Sequence, residues 1–206
     1  MPRAWIAKYQ GKADITIAEI DPQVTNIAKA KLWFSPDGSQ TKVTHGDARY
    51  ELNKLADDVK FDFVFGDAFH DISIPEHLVT QEFNDLVARR LHDDGVYLVN
   101  VVDNAKRPLF LLSYVKTLQR SFDKVEVWFE PDPRQQGIRA TFIVVGTNTP
   151  LEDDFINAEN GFERSWWRWP NSKLVSASAN QHLPILTDDR APVDKLMSGL
   201  LLGNPH

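Results

Sequence analysis

Apolar and polar positions along this chain fall into short blocks whose period switches repeatedly between helical and extended. Pro2 to Tyr9 carries Trp5, Ile6 and Tyr9 on one narrow stripe and reads as a helix ended by Gly11. Asp14–Ile20 is a short apolar run of strand type, and Asp21-Pro22 follows as a helix cap with proline at the first helical position. Val24, Ile27, Ala28 and Leu32 then recur at helical spacing, and Pro36-Asp37-Gly38 turns the chain into a strand, Thr41–His45. Helical spacing returns weakly around Tyr50–Leu55. Phe61–Ala68 is a nearly unbroken apolar run, which predicts a strand buried on both faces. Thr80 caps a helix carrying Phe83, Leu86, Val87 and Leu91, and Gly95–Val102 is a further strand. Pro108 opens a helix that runs through Phe110, Leu111, Tyr114, Val115 and Leu118 to Phe122.

Two last strands, Lys124–Glu130 and Ala140–Gly146, are close enough in sequence to form an antiparallel pair. Beyond Asn148 the pattern thins into a polar stretch with a tryptophan cluster, before a final helix over Val193–Leu201. Strands alternating with helices and closed by an antiparallel pair predict an α/β fold with a doubly wound, mostly parallel sheet. The expected organisation is a nucleoside-binding region over 1–147 and a carboxyl-terminal extension over 148–206 packing on the same domain.

Composition narrows the function. The chain has 206 residues, 42% of them apolar, enough for a core. Its 23 basic and 29 acidic residues give a net charge of −6, with no basic stripe for a nucleic-acid backbone. Cysteine is absent, so disulfides, thiolate metal sites and thiol catalysis are excluded. No apolar run approaches the roughly 18 residues of a membrane span, and a cytoplasmic location is the default expectation. The histidines (His45, His70, His77, His92, His182, His206) show no metal-ligand spacing.

Chemistry enters through acids at strand ends: Glu19, Asp47 and Asp67 each stand where a different strand stops. In an open α/β sheet these ends face one ligand crevice. A carboxylate such as Glu19 accepts both hydrogen bonds of a ribose diol. Asp47, behind the close-approach Gly46, suits the exocyclic amine of adenine, and Asp67 would lie near the reacting group. The plainer reading, that each acid caps the next helix, competes with this and is preferred for Asp21. Such domains also place a strand and a glycine-rich turn about 20 residues before the first acid. No Gly-x-Gly occurs in this chain, so its first central strand and turn are expected to be missing. Losing a central strand forfeits side chains worth about 1.5–3 kcal/mol each, from a net stability of only about 5–15 kcal/mol.

The segments Glu19-Ile20-Asp21-Pro22, His45-Gly46-Asp47-Ala48-Arg49 and Phe65-Gly66-Asp67-Ala68-Phe69 resemble the spermidine synthase family of polyamine aminopropyltransferases, most closely its branch fused to membrane transporter domains. The likeness continues through Ser73–Phe83, Gly95–Asp103 and Leu186–Val193. It implies the class I S-adenosylmethionine-dependent methyltransferase fold, with an aminopropyl group moving from decarboxylated S-adenosylmethionine to a diamine such as putrescine. It also implies that Glu19 and Ile20 hold the ribose, Asp47 and Ala48 the adenine edge, and Asp67 the catalytic acid position. Asp71 would anchor the diamine, although the family's acid motif is altered here to Asp67-Ala68-Phe69-His70-Asp71. No metal is implied, and a homodimer is compatible with the family. Little activity is expected of the chain as given. The alternatives are a methyltransferase using intact S-adenosylmethionine and a non-catalytic binding module of the same fold.

Overall fold

The computed structural model describes residues 2–10, 12–36, 40–68, 74–130, 139–149, 151–158, 164–178 and 182–201. Contacts divide the chain into two compact units, residues 1–56 and 57–206.

The first unit holds helix α1 (Pro2–Lys8), strand β1 (Ile15–Glu19), helix α2 (Pro22–Lys31), strand β2 (Thr41–His45) and helix α3 (Ala48–Asn53). β1 and β2 run parallel, in register from Ile15 opposite Thr41 to Glu19 opposite His45. Asp21 caps α2 as its pattern predicts, its carboxylate accepting the Gln23 backbone N–H at 2.8 Å. The helix turns an unexpected face inward. Val24, Ile27 and Leu32 are exposed (49, 57 and 57%), while Thr25 is buried and its hydroxyl lies 3.2 Å from the His45 ring. That contact ties α2 to the end of β2 and sets which residues face it. After α2 the backbone passes through Trp33 at φ 53°, a left-handed conformation unusual for so bulky a residue.

The second unit is built on strands β3 (Phe61–Gly66), β4 (Leu91–Asn104), β5 (Lys124–Phe129), β6 (Arg139–Thr147), β7 (Phe155–Asn157) and β8 (Ser165–Arg168). They form one sheet in the order β3-β4-β6-β5-β8-β7. β3 and β4 are parallel, and β5 and β6 form the antiparallel pair that their spacing predicts. β4 is the spine, paired with β3 on one side and over nine positions with β6 on the other. Its residues alternate strictly: Tyr97, Val99, Val101 and Asp103 are buried, while Leu98, Asn100 and Val102 are half-buried. Helices α4 (Gln81–Arg89), α5 (Leu109–Leu118) and α7 (Val193–Leu201) pack against β4, and α6 (Asn171–Ser178) lies against α5. The core is formed by Val79, Val87, Phe110, Leu111, Tyr114, Leu118, Val127 and Val144, all fully or almost fully buried.

Two expectations are corrected here. β3 is not covered on both faces: Phe63 and Phe65 are 45 and 39% exposed, because β3 ends the sheet as an edge strand. The polar stretch beyond Asn148 contains β7, β8 and α6. Strands of three and four residues carry too few alternations to be recognised; β8 is selected by pairing with β5, and β7 by pairing with β8.

Candidate active site

In the first unit, the parallel register brings Glu19 and His45 side by side at the carboxyl ends of β1 and β2. The chain leaving β2 stays close, with the Gly46 backbone N–H donating to the Glu19 carbonyl at 3.1 Å. Glu19 is half-buried, and its Oε1 accepts the Asp21 backbone N–H at 3.0 Å. Two residues on from His45, Asp47 caps α3, its Oδ1 accepting the Tyr50 backbone N–H at 3.0 Å. The plain capping role is therefore real for Asp47 as well as for Asp21. It does not exclude a ligand, since a carboxylate has about four acceptor directions and a cap fixes where they point. Ala48 opens α3 half-buried beside it, and Ile20 is 72% exposed just past β1. The structure thus gathers Glu19, Asp47 and Ala48 at one end of this small sheet.

In the second unit, Asp67 follows the last residue of β3 and is exposed. Asn100, from β4, donates its side-chain Nδ2–H to Asp67 Oδ1 at 3.0 Å. Beneath this pair the other face of the strands is tightly packed. A Cβ on Gly66 would stand 3.2 Å from the Tyr97 hydroxyl and 3.4 Å from a Val99 methyl, so glycine here lets Tyr97 close against β3. Burial pushes the Tyr97 hydroxyl up to about 12, partly offset by the hydrogen bond from the Tyr114 hydroxyl at 3.5 Å. Tyr97 therefore remains a neutral wedge under the strand end. Asp71 and His70 lie outside the described residues.

Asn100 is the residue that pattern reasoning passes over. Its signal was available: a single amide in the otherwise apolar run Val96–Val102, one position beyond the Gly66–Val99 pair. A second acid also escaped notice. Asp103 is 1% exposed and accepts the backbone N–H of Leu111 in the first turn of α5 (2.9 Å) and of its neighbour Asn104 at the end of β4 (2.7 Å). Burial raises its carboxyl to about 6, against the lowering effect of those bonds and one from the Phe110 backbone.

Other motifs have structural roles. The tryptophan cluster serves the edge of the sheet. Trp169 packs on Phe142 and Phe129 (ring centres 5.7 and 6.3 Å), and Trp167 on Phe155 (4.5 Å). Arg168 bridges Glu126 at 2.7 Å and Asp154, while Trp128 Nε1–H donates to Glu126 at 3.0 Å. Asp188, in Thr187-Asp188-Asp189, is tied to α4 and its cap. The Thr80 hydroxyl donates to Asp188 at 2.8 Å, and the Asp188 backbone N–H donates to Glu82 at 3.0 Å. Among the described residues no helix is long and apolar enough to cross a membrane.

Comparison with known proteins places this geometry. Residues 4–143 match the model of the spermine/spermidine synthase domain. A polyamine aminopropyltransferase of Vibrio vulnificus is 35% identical over 199 residues, covering 93% of this chain and 64% of that protein. The chain therefore spans a little under two thirds of that relative's length. Among solved structures, a probable spermidine synthase of Corynebacterium glutamicum superposes with a TM-score of 0.65 at 19% identity, covering 86% of this chain and 64% of that one. Human methyltransferase-like protein 13, solved in complex with SAH, superposes with a TM-score of 0.58 at 21% identity, covering 73% and 68%. At these identities the structural likenesses show the fold, which is the class I S-adenosylmethionine-dependent methyltransferase type that the family resemblance implies.

Proposed function

The chain belongs to the spermine/spermidine synthase family, and from that premise we propose that it is an aminopropyltransferase acting on a diamine. The donor in this reading is decarboxylated S-adenosylmethionine. Glu19 grips the ribose diol, with Ile20 beside it, and Asp47 and Ala48 meet the adenine edge. Asp67 serves as the acid that receives the amine proton. Asp71, assigned by the family motif alone, anchors the far end of the diamine.

The chemistry requires such an acid. An alkyl ammonium with a pKa of about 10 has no lone pair near neutral pH, so a proton must leave before nitrogen can attack. The nitrogen then forms a bond to the aminopropyl carbon next to sulfur. The carbon–sulfur bond breaks with its electrons going to sulfur, and a neutral methylthioadenosine departs. A carboxylate at hydrogen-bond distance orients the amine, takes its proton and stabilises positive charge moving from sulfur to nitrogen. Asp67 is the observation that carries this reading. It sits just past the carboxyl end of a parallel strand, is exposed to solvent, and has one oxygen held by Asn100. Among the described residues its other oxygen accepts no hydrogen bond, which suits an incoming ammonium.

The test is mass-spectrometric detection of methylthioadenosine and the extended polyamine after incubation with decarboxylated donor and putrescine. Asp67→Asn is expected to reduce turnover by at least about 100-fold while donor affinity stays within about twofold. Equal turnover in the variant removes Asp67 from the reaction. Product formed from intact S-adenosylmethionine, with adenosylhomocysteine released, would make the chain a methyltransferase instead.

A further inference from the structure

We propose that Asn100 is the positioning residue for Asp67, its side-chain amide fixing which carboxylate oxygen is presented to the amine. The inference rests on the aminopropyl-transfer reading above. It starts from register. β3 and β4 are parallel with Gly66 opposite Val99, so the next residues along, Asp67 and Asn100, fall side by side and join through Nδ2–H to Oδ1 at 3.0 Å. The two partners are not held equally. Asn100 lies well inside a strand paired on both sides, opposite Ile143 of β6, with the fully buried Val99 and Val101 as its chain neighbours. Asp67 lies one residue beyond the end of an edge strand. The firmly held member of such a pair dictates the geometry of the other.

Residue type supports the same conclusion. Asparagine is disfavoured within strands, where valine, isoleucine or threonine would fit a half-buried position better. Its presence in the centre of Val96–Val102 therefore needs a specific contact, and the one it makes is to Asp67. An amide also differs from a cation in this place. Lysine or arginine would pair with the carboxylate and oppose its taking a proton, whereas a neutral donor holds one oxygen and leaves the net charge intact. Holding one oxygen stops rotation of the carboxylate and aims the second at the reacting nitrogen. Misplacement of about 1 Å at a reacting centre can cost on the order of 100-fold in rate.

A hydrogen bond that merely fastened the end of β3 would show in stability and leave kinetics alone. Asn100→Leu keeps the approximate size and removes the donor without adding charge, and Asn100→Gln keeps the donor with a longer reach. Asn100→Leu is expected to lower kcat by about 10–100-fold with KM for the donor within about twofold, and Asn100→Gln to recover part of that rate. Wild-type kcat in Asn100→Leu, beside an inactive Asp67→Asn, would overturn the proposal. A second measurement needs no variant at Asn100. In the wild-type chain, the Asn100 side-chain amide should show one proton shifted downfield by its bond to Asp67, and that shift should vanish in Asp67→Ala. The same amide resonances in both proteins would show that the amide does not bond Asp67 and would also overturn it. If Asp67→Asn turns over normally, the functional reading fails on its own, and the amide resonances still decide whether the pair exists.

Discussion

The two units hold their candidate acids in different ways. In residues 1–56 the supports are local: Glu19 accepts from the backbone two residues on, and Asp47 from the backbone three residues on. In residues 57–206 the support is tertiary: Asp67 is held by a side chain 33 positions away, on a strand backed by a packed core. The contrast extends to burial. Every buried aliphatic or aromatic side chain among the described residues lies between Ile74 and Met197, whereas the buried positions of the first unit are Thr25 and Pro36. Two parallel strands with exposed Ile20, Ile27 and Trp33 (72, 57 and 81%) cannot generate the driving force that a full core supplies. Acids at strand ends can thus be held by near-neighbour hydrogen bonds as well as by tertiary ones, but near-neighbour placement carries little stability of its own.

The sharpest way to break this comparison is a matched pair of truncations. Phe110→Ala empties a fully buried site in the second unit and should lower the unfolding free energy by about 3–5 kcal/mol. Ile27→Ala in the first unit should change it by less than about 0.5 kcal/mol. Urea titrations followed by tryptophan fluorescence measure both, and equal losses would contradict the asymmetry.

Acidity provides the next test. Because folding raises the Asp103 carboxyl to about 6, the folded protein holds a proton between about pH 4 and 6 that the unfolded chain has released. The contribution of this group is therefore fully present below about pH 4 and is lost as pH rises through 6. Its size is on the order of 3 kcal/mol. Asp103→Asn should flatten that part of the stability profile, and an unchanged slope would show that another group sets it.

How much of this was legible in the chain follows the same division. Asp21, Thr80 and Pro22 announce their helices because capping is a contact between near neighbours, and the structure keeps all of them in those places. The parallel strands were legible from short apolar runs ending in acids. Asn100 was not picked out, because its role depends on the β3–β4 register, which no local pattern records. The inward turn of Thr25 depends on His45, twenty residues away, and the ties of Asp188 on Thr80 and Glu82, more than a hundred. Phe63 and Phe65 misled for a related reason, since an apolar run does not reveal whether its strand is central or at an edge.

The caps sharpen the contrast at the smallest scale. Thr80→Ala and Asp21→Ala each remove a helix cap worth about 1 kcal/mol. The first should lower the global unfolding free energy by that amount. The second should leave the main transition in place and instead speed amide hydrogen exchange within residues 15–56. A shared effect on the main transition would mean that the two units unfold as one.

The proposed adenosyl-donor site rests on acids at strand ends, and Glu19 tests it most directly. Calorimetric titration of decarboxylated S-adenosylmethionine into the chain should show saturable binding, and Glu19→Gln should weaken it by at least about tenfold, or about 1.4 kcal/mol. Identical affinity in the two proteins would contradict the account.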